Sequence, residues 1–427
     1  TSRGLGDVYK RQYPFLNNGV FSANVDYRPT YTPTLAKVPL IVDPTKQSSI
    51  NTIYNQGNQF EINMIDNRFQ MPTVARYNLA TDMSLGHGWK ATVEGMYTQV
   101  MKDIFFKNLD TPTPSGAFGG PDNRPFFPAS RLNGPGGTAG AGDNPYSSVF
   151  LLTNTDKGYR YTVTGQLDKT FDFSKATTLN INGAYTFGES KDVANGQRNS
   201  PQSNWEYNQQ VVPNAPVLTY SNFDVRHRIL ATSTFRHDWS GRSATTVSLV
   251  YTGQSGSPFT YVYNSDLNND GSSNNDLIFV PKDASQVNLT TNNWAALDAF
   301  ISADPYLNSR RGQYAERNGP RTPWNHRLDL RIAQDLPLAG AAKSQALQVT
   351  LDVFNFSNLI SNSWGKYYYV PNLNNQDVFS GLSLVGSRTN GTAPNFSFVA
   401  PPAGSKPYAI DDFASRWQMQ LGLRYLF

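Results

Sequence analysis

Along residues 413–427 apolar side chains fall on one face and polar ones on the other. Phe413, Trp417, Met419, Leu421, Leu423, Tyr425 and Phe427 make the oily face; Arg416, Gln418, Gln420, Gly422 and Arg424 make the wet one. A repeat of two is the signature of a strand with an apolar and a solvated side. Eight further segments carry it, at 73–85, 89–105, 159–171, 177–187, 223–239, 244–253, 324–336 and 345–356. In the first, Tyr77, Leu79 and Met83 share a face. In the second, Trp89, Ala91, Val93, Gly95 and Tyr97 oppose Lys90, Thr92 and Glu94. The third sets Tyr161, Val163, Leu167 and Phe171 against Arg160, Thr162, Gln166 and Asp168. Leu328, Leu330 and Ile332 oppose Arg327, Asp329 and Arg331, and Leu347, Val349, Leu351 and Val353 oppose Gln348, Thr350 and Asp352. Each segment reaches the roughly 9–11 residues that a tilted strand needs to cross a bilayer.

The connections add an independent signal. Short turns at 86–88, 172–176, 240–243 and 337–344 alternate with long segments at 106–158, 188–222, 254–323 and 357–412, rich in Gly, Pro, Asn and Ser. Structureless loops beyond about 12–15 residues are uncommon in compact soluble domains, whereas membrane barrels pair short periplasmic turns with long outside loops. The pattern predicts an all-β fold: nine or ten antiparallel strands of a transmembrane β-barrel with long extracellular loops. Nine strands leave an open edge, so the expectation is a portion of a larger barrel. Residues 13–71 are polar and are expected to form one more outside loop. The opening 1–12 (TSRGLGDVYKRQ) lacks the Asn- and Tyr-rich character of the chain after it and reads as a non-native scar, with 13–427 as the carboxy-terminal part of the barrel.

Composition sharpens this reading. Hydrophobic residues are only 38% of the 427, yet aromatics reach 13%, as expected where only alternate residues are oily and rings gather at the interfaces. No run approaches the roughly 18 apolar residues of a membrane helix. The net charge of +4 is small for the length and gives no reason to invoke nucleic acid. With no cysteine there is neither a disulfide framework nor a thiolate site.

Candidate chemistry is sparse. The four histidines, His87, His227, His237 and His326, have no partners at metal-ligand spacing, and no nucleophile elbow is present, so no catalytic residue is expected. Charges at Lys90, Glu94, Arg160, Asp168, Arg327, Asp329, Arg331, Asp352, Arg416 and Arg424 read as lining a wet interior. One loop stands out: Asp266, Asn268 and Asp270 precede Gly271 at the spacing D-x-[DN]-x-[DN]-G, in which alternate oxygens converge on a hard cation. Position twelve is Leu277 rather than the bidentate Glu of an EF-hand, so Asp276 or another carboxylate has to complete a calcium shell. The competing reading is a plain turn cluster. Loop aromatics Trp205, Tyr207, Tyr220, Tyr261, Tyr263, Trp364, Tyr367, Tyr368 and Tyr369 either contact a ligand or belong to an interfacial girdle. Trp364, Tyr367 and Tyr368 are the ligand candidates.

Several runs in collinear order carry a family resemblance: 69–79 (FQMPTVARYNL), 91–108 (ATVEGMYTQVMKDIFFKN), 149–167 (VFLLTNTDKGYRYTVTGQL), 222–229 (NFDVRHRI), 256–281 with NDLIFVP, 314–329 (YAERNGPRTPWNHRLD) and 351–358 (LDVFNFSN). Together they resemble the barrel of TonB-dependent outer-membrane receptors of the Oar-like branch. That resemblance implies a barrel of about 22 strands with a plugged lumen, in the outer membrane of a Gram-negative bacterium. It implies import of a scarce solute driven through the TonB complex, with the plug and TonB box in an amino-terminal part not recognisable here. It makes Tyr425 and Phe427 the insertion signal read by the barrel-assembly machinery, and it leaves room for a surface lipoprotein over the pore. A passive porin or adhesin-like barrel and a secreted glycan-binding β-sandwich are the alternatives. Trp417, Leu421 and Tyr425 are expected to face lipid; Arg416, Gln420 and Arg424 are expected to face the lumen.

Overall fold

The computed structural model describes residues 60–127, 146–194, 198–240, 243–273, 275–290, 293–337, 346–371, 378–384, 391–398 and 406–426. Eleven strands form its wall: β1 (Phe60–Ile65), β2 (Thr73–Gly86), β3 (Trp89–Asn108), β4 (Tyr146–Thr155), β5 (Tyr159–Ser174), β6 (Thr177–Asp192), β7 (His227–Asp238), β8 (Ala244–Gln254), β9 (Asn325–Pro337), β10 (Ala346–Phe354) and β11 (Gln418–Leu426). With the two-residue strand Thr219–Tyr220 they make one twelve-stranded sheet. Nine of them, β2, β3 and β5 to β11, pair antiparallel with their sequence neighbours in an unbroken meander. These are the nine segments marked by alternation. Among the described residues β2 and β11 each have one neighbour, so the sheet is open. No helix there is long and apolar enough to cross a membrane.

Register decides what each face presents, because residues directly opposite one another share a side of the sheet. One row runs Leu421, Leu351, Ile332, Val247, Phe235 and Leu179 to Phe171. The adjacent row on the other face runs Gln420, Asp352, Arg331, Ser248, Thr234, Asn180 and Thr170. The first face is uncovered: Leu421 is 76% and Leu423 70% exposed, with Leu79, Val163, Leu167 and Ile181 also open. A β-sandwich would bury such a face against a second sheet, and among the described residues none lies on it. That alternative is therefore corrected.

The polar face is cross-linked by short side-chain contacts. Arg331 meets Asp352 at 3.3 Å, Arg236 meets Asp335 at 3.5 Å, and Asn78 donates to Glu94 at 2.8 Å. Thr92 donates to Asp82 at 2.6 Å, and Thr164 and Thr186 bond at 2.9 Å. Such exposed pairs contribute about 0–1 kcal/mol each. They match the face to water; the backbone ladder holds the wall together.

Two belts of rings bound the apolar face. Toward the long connections, Tyr161, Phe187, His227, Trp324 and His326 follow one another at centroid distances of 6.1, 5.3, 5.7 and 5.8 Å. Tyr185 and Tyr251 extend this belt, their hydroxyls 2.7 Å from the Nδ1 atoms of His227 and His326. Toward the short turns lie Trp89 edge-on to Phe171 and His237 edge-on to Trp239. Lys169 shares that lower belt, its ammonium over both Trp89 and Phe171, so its stem lies on the apolar face while its head reaches the interface. Tyr161 and Phe171 lie ten residues apart on one strand. At about 3.3 Å per residue and a tilt of roughly 35–45°, that separation gives a band about 25 Å tall, the height of a barrel's hydrocarbon girdle.

The wall also rises beyond that band. β4 continues the line of β5 against β3 in one register, Asp103 opposite Thr155 and Gln99 opposite Tyr159. The twenty residues of β3 are thus paired along their length, about 65 Å of strand, more than the membrane needs. β1 lies parallel to β4, with Ile62 opposite Val149. Asn154 pins the link from β1 to β2, bonding both Gln70 N and Gln70 O. Both strands depart from the sequence expectation of loops: 146–155 sits in a long connection, and 60–65 lies in the polar stretch assigned outside. Residues 13–59 of that stretch lie outside the described residues, as do 1–12. At the other end, Phe413 and Arg416 do not belong to a strand. Asp412–Ser415 is a short helix capped by Asp411, and Arg416 follows it. The close turn at Gly86, His87 and Gly88 has positive φ throughout, at 83°, 50° and 78°, as a tight hairpin requires.

The face assignment makes an asymmetric prediction. Leu421→Arg, midway between Trp417 and Tyr425, should destabilise the folded protein in bilayers by about 2–4 kcal/mol, whereas Gln420→Arg should change it little. Urea titration of vesicle-reconstituted protein reads both; equal effects at the two positions would refute the assignment.

Candidate functional site

Three of the four long connections fold into one headpiece at the end of the wall. Phe118 and Phe126 come from the first; Phe259, Tyr261, Tyr263, Leu267, Ile278, Val280, Leu297, Ile301 and Leu307 come from the third; Val370, Phe396 and Phe398 come from the fourth. Strands Thr260–Tyr263, Val378–Leu384, Asn395–Phe398 and Asn288–Leu289 form a small sheet within it. A helix at Trp294–Ala303 points Leu297 and Ile301, four residues apart, into this core. It ends at Asp304, whose carboxylate caps the next helix, Pro305–Ser309, by accepting from Tyr306 N and Leu307 N at 2.8 and 3.0 Å. These segments, read in the sequence as surface loops, are thus a folded body with its own apolar interior.

Arg124 is the cross-piece of that body. It is 1% exposed. Its guanidinium donates to Asp122 Oδ1 at 2.9 Å, Asp276 Oδ1 at 3.0 Å and the Leu277 carbonyl at 2.6 Å. The rings of Tyr263 and Tyr314 lie on it at 5.1 and 5.4 Å. Burial disfavours its charge, but Asp122 and Asp276 more than offset that, and its pKa is raised. Burial likewise pushes the Tyr263 and Tyr314 hydroxyls up. The first connection is thereby tied to the third, across 152 residues of chain.

The calcium-like loop lies in the same interior. Gly271 N donates to Asp266 Oδ2 at 3.0 Å, Asp270 N to Asn268 Oδ1 at 3.0 Å, and Ser272 N to Asp270 Oδ1 at 2.9 Å. Asp266, Asn268 and Asp270 are thus folded back over their own loop. Asp276 closes it, accepting from Leu267 N at 2.7 Å with one oxygen while the other meets Arg124. Burial raises the Asp270 and Asp276 carboxyls above the usual range; the neighbouring carboxylates raise Asp270 further, and Arg124 works against the rise at Asp276. Among the described residues no three carboxylate or imidazole groups stand close enough to hold an ion by themselves.

A second set of contacts docks the headpiece to the rim of the wall. Arg317, 1% exposed, reaches Asp192 at the end of β6 at 2.6 Å. Asp224 pairs with both Arg321 and Arg226, and its Oδ1 accepts from Ser190 N. Asn318 Nδ2 donates to the Tyr220 carbonyl at 2.7 Å. Every one of these groups except Asp192, Ser190 and Tyr220 lies within the runs NFDVRHRI or YAERNGPRTPWNHRLD. Those runs are junction pieces. Arg124, Asp122 and Asp304 had no such signal, standing singly in Gly- and Pro-rich or helical sequence.

The aromatic candidates divide. Trp205, Tyr261 and Tyr263 are buried, so they are corrected from contact residues to core. Trp364 is 56% and Tyr367 40% exposed, and Tyr369 is open as well. Tyr368 is half-buried and edge-on to Tyr408. All four belong to a knot beyond β10, where Asn355 Nδ2 bonds the carbonyls of Gly365 and Ser415 and Tyr367 N bonds Ser415 Oγ. The histidines are dispersed: His227 and His326 in the upper ring belt, His237 beside Trp239, His87 in a turn. Tyr425 lies on the apolar face opposite Leu347, and Phe427 lies outside the described residues.

A family model described as "Outer membrane beta barrel domain" matches residues 2–363. No curated protein matches the chain.

Arg124→Met removes the cation and leaves buried carboxylates unpaired, a change that typically costs about 3–5 kcal/mol. The loss should loosen the headpiece alone: limited proteolysis should cut within 255–323 much faster while the gel shift of the unheated, folded wall persists. Unchanged protection would show that Arg124 does not tie the connections together.

Proposed function

As a member of the outer-membrane β-barrel domain family, the chain lies in the outer membrane of a Gram-negative bacterium, and we propose that it is wall and headpiece of a TonB-dependent receptor importing a scarce solute. The observation that carries this reading is the headpiece. A passive pore gains nothing from folding three long connections into a cored body docked on the rim by buried charges, whereas a receptor that must recognise a dilute solute needs a shaped outer surface. The resemblance of the junction runs to Oar-like receptors points the same way.

On this reading the open nine-strand meander is part of a barrel of about 22 strands, since unpaired strand edges in hydrocarbon cost several kcal/mol per backbone group. A plug fills the lumen, and its polar surface meets rungs such as Arg331–Asp352 and Arg236–Asp335. Solute, or a surface lipoprotein that delivers it, first meets the exposed rings of Trp364 and Tyr367, with Tyr368 behind them. The TonB complex acts on the plug side, and the barrel-assembly machinery reads the strand ending in Tyr425 and Phe427. No catalytic step is assigned to the protein.

The polar, cross-linked inner face would equally suit a passive porin, and conductance separates the two. The full-length protein in planar bilayers should show no steady current, because a plugged receptor is closed at rest. Stable ohmic steps would overturn active transport in favour of the porin.

A further inference from the structure

We propose that the turn at Gly271 is a calcium site, in which the side-chain oxygens of Asp266, Asn268 and Asp270 and the amide oxygens of Asn275 and Gln210 surround the ion and fasten the second long connection to the third. The inference is independent of the transport reading.

Three observations carry it. The first is the local fold: each of the three alternating side chains takes a backbone N–H of its own loop, with Asn269 and Gly271 at φ 64° and 96° making the bend. These are the positions one, three and five whose oxygens a calcium loop of this spacing presents to its ion. The second is charge. Asp270 is 1% exposed and accepts only from neutral donors, Ser272 N at 2.9 Å and Asn275 Nδ2 at 2.8 Å; among the described residues no side-chain cation reaches it. Arg124 is engaged by Asp122 and Asp276. A buried carboxylate without a counter-charge is strongly disfavoured.

The third observation is independent of the acids. Asn275 and Gln210 are 1% and 5% exposed, and among the described residues the buried side-chain oxygen of each has no hydrogen-bond donor. Both stand at the loop. The Asn275 amide is pinned to Asp270 through its nitrogen, Gln210 N donates to the Asn275 carbonyl at 2.8 Å, and Gln210 bridges to Asp276. Buried amide oxygens are nearly always paired, and two left over beside an unbalanced carboxylate are acceptors awaiting a cation. Carboxylates too few to hold an ion alone become sufficient once these neutral oxygens join them. An all-oxygen set with no nitrogen or sulfur suits calcium rather than zinc, and its irregular mixture of acids and amides suits calcium better than strictly octahedral magnesium. The ion would join the Gln210 segment to the loop, where Ser272 Oγ already bonds the Glu206 carbonyl at 2.8 Å.

Protein extracted from outer membranes in detergent and stripped with EGTA provides the test. Calorimetry with calcium chloride should show saturable binding of about one ion, in the roughly 0.1–1 mM range of extracellular modules. Calcium, and not equal magnesium, should slow proteolysis of 255–323. Asp270→Asn should weaken binding at least about tenfold while the folded wall keeps its gel shift. Asp283→Asn, an exposed acid of the same connection, should leave binding unchanged. Folded wild-type protein that binds no calcium, or binding unaltered by Asp270→Asn, would overturn the site.

Discussion

In hydrocarbon a backbone N–H or C=O has no water to turn to, so every such group in the wall must find its partner on a neighbouring strand. This requirement determines the meander. Each wall strand from β3 to β10 is flanked on both sides, and consecutive hairpins achieve the pairing with the shortest connections. The same requirement fixes the register. A one-residue slip would turn Leu421, Leu351, Ile332 and Val247 inward and expose Gln420, Asp352, Arg331 and Ser248 to lipid. Apolar burial in the usual sense is almost absent from the wall; its oily residues are satisfied by the bilayer.

The headpiece obeys the opposite rule. It stands where the wall outgrows the membrane band, in water, and is built as a small soluble domain around Phe259, Tyr261, Leu297, Ile301 and Leu307. Its segments come from connections far apart in sequence, so closing it carries a loop-entropy cost that apolar packing offsets. Charged groups then specify which pieces meet. Arg124 joins two connections inside the core, and Arg317, Arg321 and Asp224 seat the body on the rim. Arginine suits these places because its fixed fork of donors meets a carboxylate and a carbonyl at once.

The wall was legible because its rule is local. Period two needs only a dozen residues to declare itself, and all nine alternating segments became neighbouring strands. Their ends were less legible: helix 412–415 interrupts the oily alternation at Phe413, and β3 runs past the membrane into sequence that looks like loop. β1 and β4 escaped notice because one pairs in parallel and the other continues a neighbour's line; neither arrangement leaves a hairpin signal. The headpiece was illegible for a different reason. Its main cross-ties join residues far apart in the chain, 152 positions for Arg124 and Asp276, and no spacing rule announces that meeting. The calcium-like spacing was visible, but the amide oxygens of Gln210 and Asn275 were not, since Gln210 arrives from another connection.

The most direct test of the central claim is an environment scan along β9. Single fluorophores at positions 327–332, in protein reconstituted in vesicles, are quenched in turn by a lipid-borne and a water-soluble agent. Leu328, Leu330 and Ile332 positions should respond to the lipid agent, and Arg327, Asp329 and Arg331 positions to the aqueous one. Loss of this alternation, or even-numbered positions shielded from both agents, would contradict a wall with one side in lipid and the other around water.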